Sequence, residues 1–433
     1  SLLPIFHGVI AIDNTSIVII IRYTKGGAVT NLHFNYKDVF RAGRLGFSAK
    51  KMWVTFIGLF FAYIGYAIFA YLSHIIAGIS ITDVWEMYRI IPLYPDGLPW
   101  FCWLVWLVGF LWWICLALLT GVAVSKITFE QLRGDEFYEI KEAIKFTLKS
   151  GKSAIFAPVM LIVFMVFIIF AGLFLAVVTL IPYGGQIIFA VAGIPAFAAC
   201  MFILYLVVVT IVCLIIGPSI VGGTGNDTFD TLFESFSVLN DQPWRFIGYE
   251  LLLHVLVLVG IAILGYFSAK AVFLVHDVIG VIVSADKLNN IFMNAASYVK
   301  ITIPPICPET YRSFFVGLIE WIGMPNVLFP PEYIAPFEKW AGAIASFVLA
   351  VVYYLIILFV ISIGGSIFWA GNTVIFTVLV KKKDDKNLLE IKEELSEDIA
   401  PEVTPEKPKT KAKPKKKAKA KKSTRKRKTK KKK

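Results

Sequence analysis

Six long stretches of this chain are apolar almost without interruption, and a short amphipathic stretch precedes three of them. From Ser153 to Asn226 there is no Asp, Glu, Lys, Arg or His, and from Ala341 to Val380 there is none either. A helix needs about 20 apolar residues to cross the hydrocarbon core of a bilayer. The pattern predicts spans near 52–76, 99–124, 154–181, 187–216, 246–273 and 342–372. The turn signal "IPYGGQ" (181–186) makes a hairpin of the third and fourth. The expected fold class is an all-α integral membrane protein.

The polar stretch "GNDTFDTLFESFSVLNDQPWRF" (225–246) is too charged to cross a bilayer and too periodic for a linker. Phe229, Leu232, Phe233, Phe236 and Leu239 recur at helical spacing, Asn226, Asp227 or Thr228 can cap the start, and Pro243 ends the run. It reads as an interfacial helix lying in the membrane plane ahead of span five. "EFYEIKEAIKFTLKSGKSAIF" (136–156) stands before span three with the same design, and "YKDVFRAGRLGFSAKKMW" (36–53) before span one. An interfacial helix followed by a pair of spans thus occurs three times, a loose internal repeat of pattern rather than of identity.

The ends differ from this body. Residues 9–34 alternate and are rich in β-branched residues, with turn signals at Asp13-Asn14 and Gly26-Gly27, so residues 1–36 are expected to hold a short β-meander. Residues 278–340, rich in Pro, Asn and aromatics, are expected to form an external segment with short helices on the outer surface. Residues 381–433 form a charged tail, with a short helix near 387–398 and disorder after 400.

Composition agrees with a membrane body: 58% of the 433 residues are hydrophobic and 17% charged, with a mean hydropathy of +0.73. The net charge of +13 is a property of the tail. Residues 407–433 hold 18 Lys or Arg and no acid, which leaves 25 basic against 30 acidic residues elsewhere, a net of −5. Residues 22–51 carry seven basic residues and 126–152 carry six, whereas the loop at 77–98 has only Arg89. By the positive-inside rule both termini are cytoplasmic.

Several stretches together resemble a family of uncharacterised bacterial multi-pass membrane proteins. They are "FDTLFESFSVLNDQPWRFIGYE" (229–250), "IFWAGNTVIFTVLVKKKDD" (367–385) and the "KSAIFAP" entry to span three, and the resemblance runs over roughly 37–385. It implies a fold and a bacterial inner-membrane location and lends no activity.

Two features could carry chemistry. Glu250 and His254, four apart in span five, share one helix face. His254 falls about 15 Å past Trp244, at 1.5 Å per residue, and an ionisable residue at such depth suggests a proton relay or ion site. The alternative is a neutral histidine hydrogen-bonded within the bundle. The tail is the second feature. Lys415, Lys416, Lys417, Lys421, Lys422, Arg425, Lys426, Arg427 and Lys428 are its densest part and will bind polyanions: anionic lipid at about 1 kcal/mol per charge, or ribosomal RNA or DNA through counterion release.

Other patterns carry less. "GPSIVGGTGND" (217–227) and "SGKS" (150–153) lack the spacing of a phosphate loop. Five cysteines show no CxxC spacing, and His74 with His254 has no supporting haem pattern. No cofactor or metal is expected, and no catalytic arrangement is visible. The expectation is a non-enzymatic scaffold or accessory subunit with membrane lipids, other membrane subunits and a tail-bound polyanion as partners. A transporter or channel using Glu250 and His254 is the alternative, and a lipid-acting membrane enzyme the weaker one.

Overall fold

The structure, a computed structural model, describes residues 9–13, 16–20, 32–90, 97–181, 184–299 and 340–390, with 95, 313 and 317 singly. Strands β1 (Val9–Asp13) and β2 (Ser16–Ile20) pair antiparallel, Val9 opposite Ile20 and Asp13 opposite Ser16. The residues between and beyond them, and so the expected meander as a unit, lie outside the described residues. So do most of the external segment and the whole tail after Glu390.

Eleven helices follow among the described residues: α1 (Tyr36–Gly46), α2 (Ala49–Ile76), α3 (Ile81–Tyr88), α4 (Trp100–Leu132), α5 (Ile140–Ser150), α6 (Lys152–Val178), α7 (Gly184–Thr224), α8 (Thr228–Asp241), α9 (Pro243–Gly280), α10 (Ala285–Tyr298) and α11 (Trp340–Asp384). Six are long and apolar enough to span a bilayer: α2, α4, α6, α7, α9 and α11. Helices α1, α5 and α8 precede α2, α6 and α9, so the order of amphipathic helix and paired spans recurs three times. Local chemistry sets the boundaries. The Asn35 side chain accepts from the Lys37 amide and Asp38 answers the Asn35 amide, a capping box for α1. Asp227 accepts from the Asp230 amide at 2.9 Å to cap α8, and Pro243 starts α9 where its missing N–H costs nothing.

Burial is uneven along the long helices, and this decides the architecture. In α6, Phe164, Phe167, Phe170 and Phe174 are exposed, as are Ile187, Val191, Ile194 and Phe197 on the first half of α7, while Leu161, Met165 and Ile168 of α6 pack toward Leu206 and Val209 of α7. An apolar surface of this extent on the outer faces of a hairpin belongs in lipid. The chain is a multi-pass α-helical membrane protein.

The buried core sits at the other end, among α1, α5, α8 and the helix ends they adjoin. There every residue of α4 from Gly121 to Phe129 is buried, and α11 is almost wholly buried from Ser362 to Val380. One cluster joins Val39 and Ala42 of α1, Ile216 and Ile220 of α7, Val238 of α8, Phe246 and Leu253 of α9, and Ile367, Ile375 and Phe376 of α11. We call this the basic end, after the Lys and Arg residues around it.

Small residues bring the backbones together there. A Cβ on Gly121 would lie 2.9 Å from Pro218 Cβ and from the Trp369 ring, and one on Gly222 would lie 2.6 Å from Ser125 Cβ and 3.0 Å from the Lys126 amide nitrogen. Helices α4, α7 and α11 therefore meet as a parallel trio, α7 close to the α4 backbone at Gly222 and the Trp369 ring of α11 seated on Gly121. Within a bilayer such close van der Waals packing, not the hydrophobic effect, holds helices together.

The expected spans are all present, but the helices overrun them. α4 continues from the expected 124 to Leu132 and α11 from 372 to Asp384. Hydropathy measures the length that meets lipid; the α4 extension carries Ser125, Lys126, Thr128 and Glu130, and the α11 extension runs buried through Val380 before ending in three lysines, so both are held by the protein core. Helix α3 was expected to be a loop, yet Ser80 caps it by accepting from the Thr82 amide at 3.2 Å. Two α2 tyrosines hold the chain that follows: Tyr63 donates to the Ile90 carbonyl and Tyr71 to the Arg89 carbonyl.

The α8 stripe is divided in two. Leu232, Phe236 and Leu239 pack against Leu161, Leu206 and Val209, whereas Phe229 and Phe233 are exposed. The deepest positions go to Thr231 and Ser235, whose hydroxyls donate to the Asp227 and Thr231 carbonyls at 2.6 and 2.8 Å. Short side chains satisfied by their own helix allow α8 to sit close to its neighbours. Helices α1 and α5 expose apolar residues in the same way: Tyr36 and Phe40 of α1, then Ile144 and Leu148 of α5, with Phe137 just ahead of it.

Candidate functional site

Glu250 and His254 are brought together, though not as a relay would need. Glu250 is only 7% exposed, and neither carboxylate oxygen has a hydrogen-bond partner. His254, one turn on along the same face, is far more open, its side chain 55% exposed. Its Nδ1 lies 2.7 Å from the Glu250 carbonyl oxygen, one turn back, and 3.6 Å from Glu250 Oε2. The short contact is to the backbone; the longer one exceeds hydrogen-bond length. The imidazole stands edge-on to Phe368, 5.7 Å between ring centres.

The depth of the pair follows from its neighbours. A side chain at Gly371 would strike Leu253 on one side and Ala42 of α1 on the other. The pair is thus level with α1, at the basic end, rather than midway along the bundle. His74 stands in the last turn of α2, 23 residues beyond Lys51 and so about 35 Å away along the axis. There its Nδ1 lies 2.8 Å from the Ala70 carbonyl and its ring meets Tyr88. The two histidines occupy opposite ends and cannot share a haem. Among the described residues no three His, Cys, Asp or Glu side chains gather to hold a metal. Cys102, Cys115, Cys200 and Cys213 are free thiols there.

Sequence reading missed a polar framework at the same end. Lys51 is fully buried, and its Nζ donates to the Leu45 carbonyl and to Gln131 Oε1, both at 2.8 Å. Ser366 Oγ donates to the Gly46 carbonyl at 2.6 Å. The last carbonyls of a helix have no intrahelical donor; here α2 and α11 satisfy those of α1, which locks three elements together. Nothing in "AKKMW" separates Lys51 from its half-buried neighbour Lys50, so no signal could have found it. Lys51→Met is expected to lower stability by about 1.5–3 kcal/mol, the worth of hydrogen bonds to a charged group. A thermal or denaturant midpoint in detergent measures this.

A second group was foreshadowed by its spacing. Lys126 Nζ meets Glu130 Oε1 at 2.7 Å and lies 4.6 Å over the Phe146 ring of α5. Arg133 lies over Phe129 and donates to the Leu388 carbonyl at 3.3 Å. Residues 126, 130 and 133 stand four and three apart on one helix face, which is how a charged extension of an apolar helix declares itself. Across the bundle, Ser125 and Ser219 hydroxyls meet at 3.2 Å between α4 and α7.

On the outside of this end, a groove of about 510 Å3 opens between α8 and the end of α11. Lys383 is shared there by Glu234, Asp241 and Asp384 at 3.8–4.0 Å. Asp385, in a left-handed conformation at φ 53°, accepts from Lys381 Nζ at 2.7 Å, and that bond holds its carboxyl below the usual carboxylate range. The tail residues Lys415, Lys416, Lys417, Lys421, Lys422, Arg425, Lys426, Arg427 and Lys428 lie outside the described residues.

No family model matches this chain, no curated protein is similar to it, and no solved structure resembles its fold. The site residues are therefore read from their own geometry.

Proposed function

We propose that this protein is a non-catalytic membrane scaffold or accessory subunit of a bacterial inner membrane, with both termini cytoplasmic and the Lys-rich tail binding a polyanion. The observation that carries the reading is the closed packing of α4, α7 and α11 at the basic end. Gly222 brings α7 against the α4 backbone and Gly121 seats the Trp369 ring of α11, and Ser125 and Ser219 hydrogen-bond across the joint. Such a joint suits a rigid platform. Around it, Tyr36, Phe40, Phe137, Ile144, Leu148, Phe229 and Phe233 are free to enter the cytoplasmic leaflet. The likeness to uncharacterised bacterial multi-pass proteins over 37–385 belongs to the same proposal.

The test is a pull-down from native membranes, full-length protein against a chain ending at Ala400, at low and moderate salt. Ribosomes, nucleic acid or anionic lipid should come down with the full-length chain alone and leave as salt rises. Equal recovery with both chains overturns the tether.

A second reading, transport along Glu250 and His254, rests on one observation: Glu250 is enclosed with both oxygens unpartnered. The scaffold reading expects proton and ion flux in liposomes to stay at background for the wild type and for Glu250→Gln/His254→Ala alike. A wild-type flux that the double variant abolishes would establish transport instead.

A further inference from the structure

At the end of the bundle away from the basic residues, α9 and α11 part and leave an apolar cavity of about 450 Å3. Phe56 of α2 and Phe359 of α11 close its inner end, their rings 6.4 Å apart and edge-on. Ala271, Val272 and Val275 of α9 form one wall, and Leu349, Val352 and Ile356 of α11 the other. Phe292 of α10 and Tyr353 of α11, 6.2 Å between centres, stand at the outer end. Val272, Phe292 and Tyr353 also line a smaller cavity of about 140 Å3, which continues the first.

The continuation is where polarity enters. His276 Nε2 lies 2.8 Å from Asn289 Oδ1, and His276 Nδ1 lies 3.2 Å from Asp277 Oδ1. The cleft is therefore amphiphilic along its length: aromatic and aliphatic within, with imidazole, amide and carboxylate at the mouth. Along α11 it extends from Phe359 to Leu349, about 15 Å at 1.5 Å per residue. That is about half the ~30 Å hydrocarbon core, the depth of one leaflet.

We propose that this cleft is a binding site for a phospholipid, one acyl chain lying between α9 and α11 and the head group at His276 and Asn289. Three observations select this occupant. The walls are apolar, the length matches the chain of a single leaflet, and the polar groups are gathered at the end where a head group would stand. The helices that bound the cleft also expose Val259, Ile263, Phe267, Val348 and Val351 on their outer faces. A lipid can reach it sideways from the bilayer along these apolar faces, past the exposed Lys270, whose ammonium lies over Tyr266 and Phe273. The site is independent of the platform at the basic end and of the tail.

The test uses the full chain in nanodiscs containing a phosphatidylethanolamine probe with a photoreactive group midway along one acyl chain. Labelling should concentrate on peptides covering 268–275 and 349–359. Ala271→Trp, which fills the cleft, should lower labelling there about tenfold and leave labelling of the exposed α6–α7 hairpin unchanged. The hairpin signal reports that the variant is folded. If Ala271→Trp disturbs it, Val352→Trp on the opposite wall serves instead. His276→Leu should weaken retention of the probe with the cleft itself intact. Labelling spread evenly over α6, α7, α9 and α11 and indifferent to both tryptophans overturns the proposal. So does a crosslink from a cysteine at 271 to residues 300–339, which would make the occupant this chain's own segment.

Discussion

Replacing Gly222 by leucine abolishes assembly of the membrane domain, whereas Gly172→Leu leaves it folded. That is the expected result, and the two glycines differ only in their surroundings. A Cβ at 222 would lie 2.6 Å from Ser125 Cβ and 3.0 Å from the Lys126 amide nitrogen and the Val122 carbonyl oxygen, and two of these three are backbone atoms of α4. Backbone cannot rotate away, so α4 and α7 must separate. Extra methylenes in a packed interior cost about 1–3 kcal/mol even where side chains can yield. Here separation also strains the Ser125–Ser219 hydrogen bond between the two helices. Gly172 of α6 has nothing within 4 Å, so a leucine there meets lipid. Fluorescence-detected size exclusion of the two variants checks the result. A monodisperse Gly222→Leu protein would show that the parallel trio is not the joint of the bundle.

The second large effect concerns the tail. Eighteen positive charges within residues 407–433 should give polyanion binding a steep salt dependence. The slope of log affinity against log salt is about −0.7 per contacted phosphate on a single strand and about −0.9 on duplex DNA. If 6–10 of the charges engage, affinity for duplex DNA falls by about 10³–10⁵ between 50 and 200 mM salt, and for single-stranded RNA somewhat less. The chain ending at Ala400 should lose both the binding and the slope, because the remaining residues hold 25 basic against 28 acidic side chains, a net of −3. The tail holds no aromatic residue on which bases could stack, so sequences of equal length should bind alike. Titration of fluorescent RNA and DNA of matched length at several salt concentrations measures both. A shallow slope, or strong preference for one sequence, would show that something other than the charge run does the binding.

The cleft, the platform and the tail fail separately. Ala271→Trp reads lipid occupancy, Lys51→Met reads the basic-end framework, and truncation at Ala400 reads polyanion binding. None of these changes touches the residues of another.

What could be read from the sequence is what local chemistry and hydropathy decide. Uncharged runs as long as 153–226 leave no choice but lipid. All six spans, the three preceding amphipathic helices and the caps at Asn35 and Asp227 follow from apolar length, helical period and short polar side chains. Tertiary structure decided how far each helix runs past the lipid and what stands in its middle. Lys51 reads as one of two adjacent lysines until α1 ends beside it and supplies an unsatisfied carbonyl. Glu250 and His254 read as a pair at mid-membrane until Gly371 and Ala42 place them level with α1, one side chain enclosed and the other far more open. The cleft between α9 and α11 has no sequence signature, because it is a gap between two surfaces that each look like any lipid-facing helix. Hydropathy records what a residue avoids; only packing records what it meets instead.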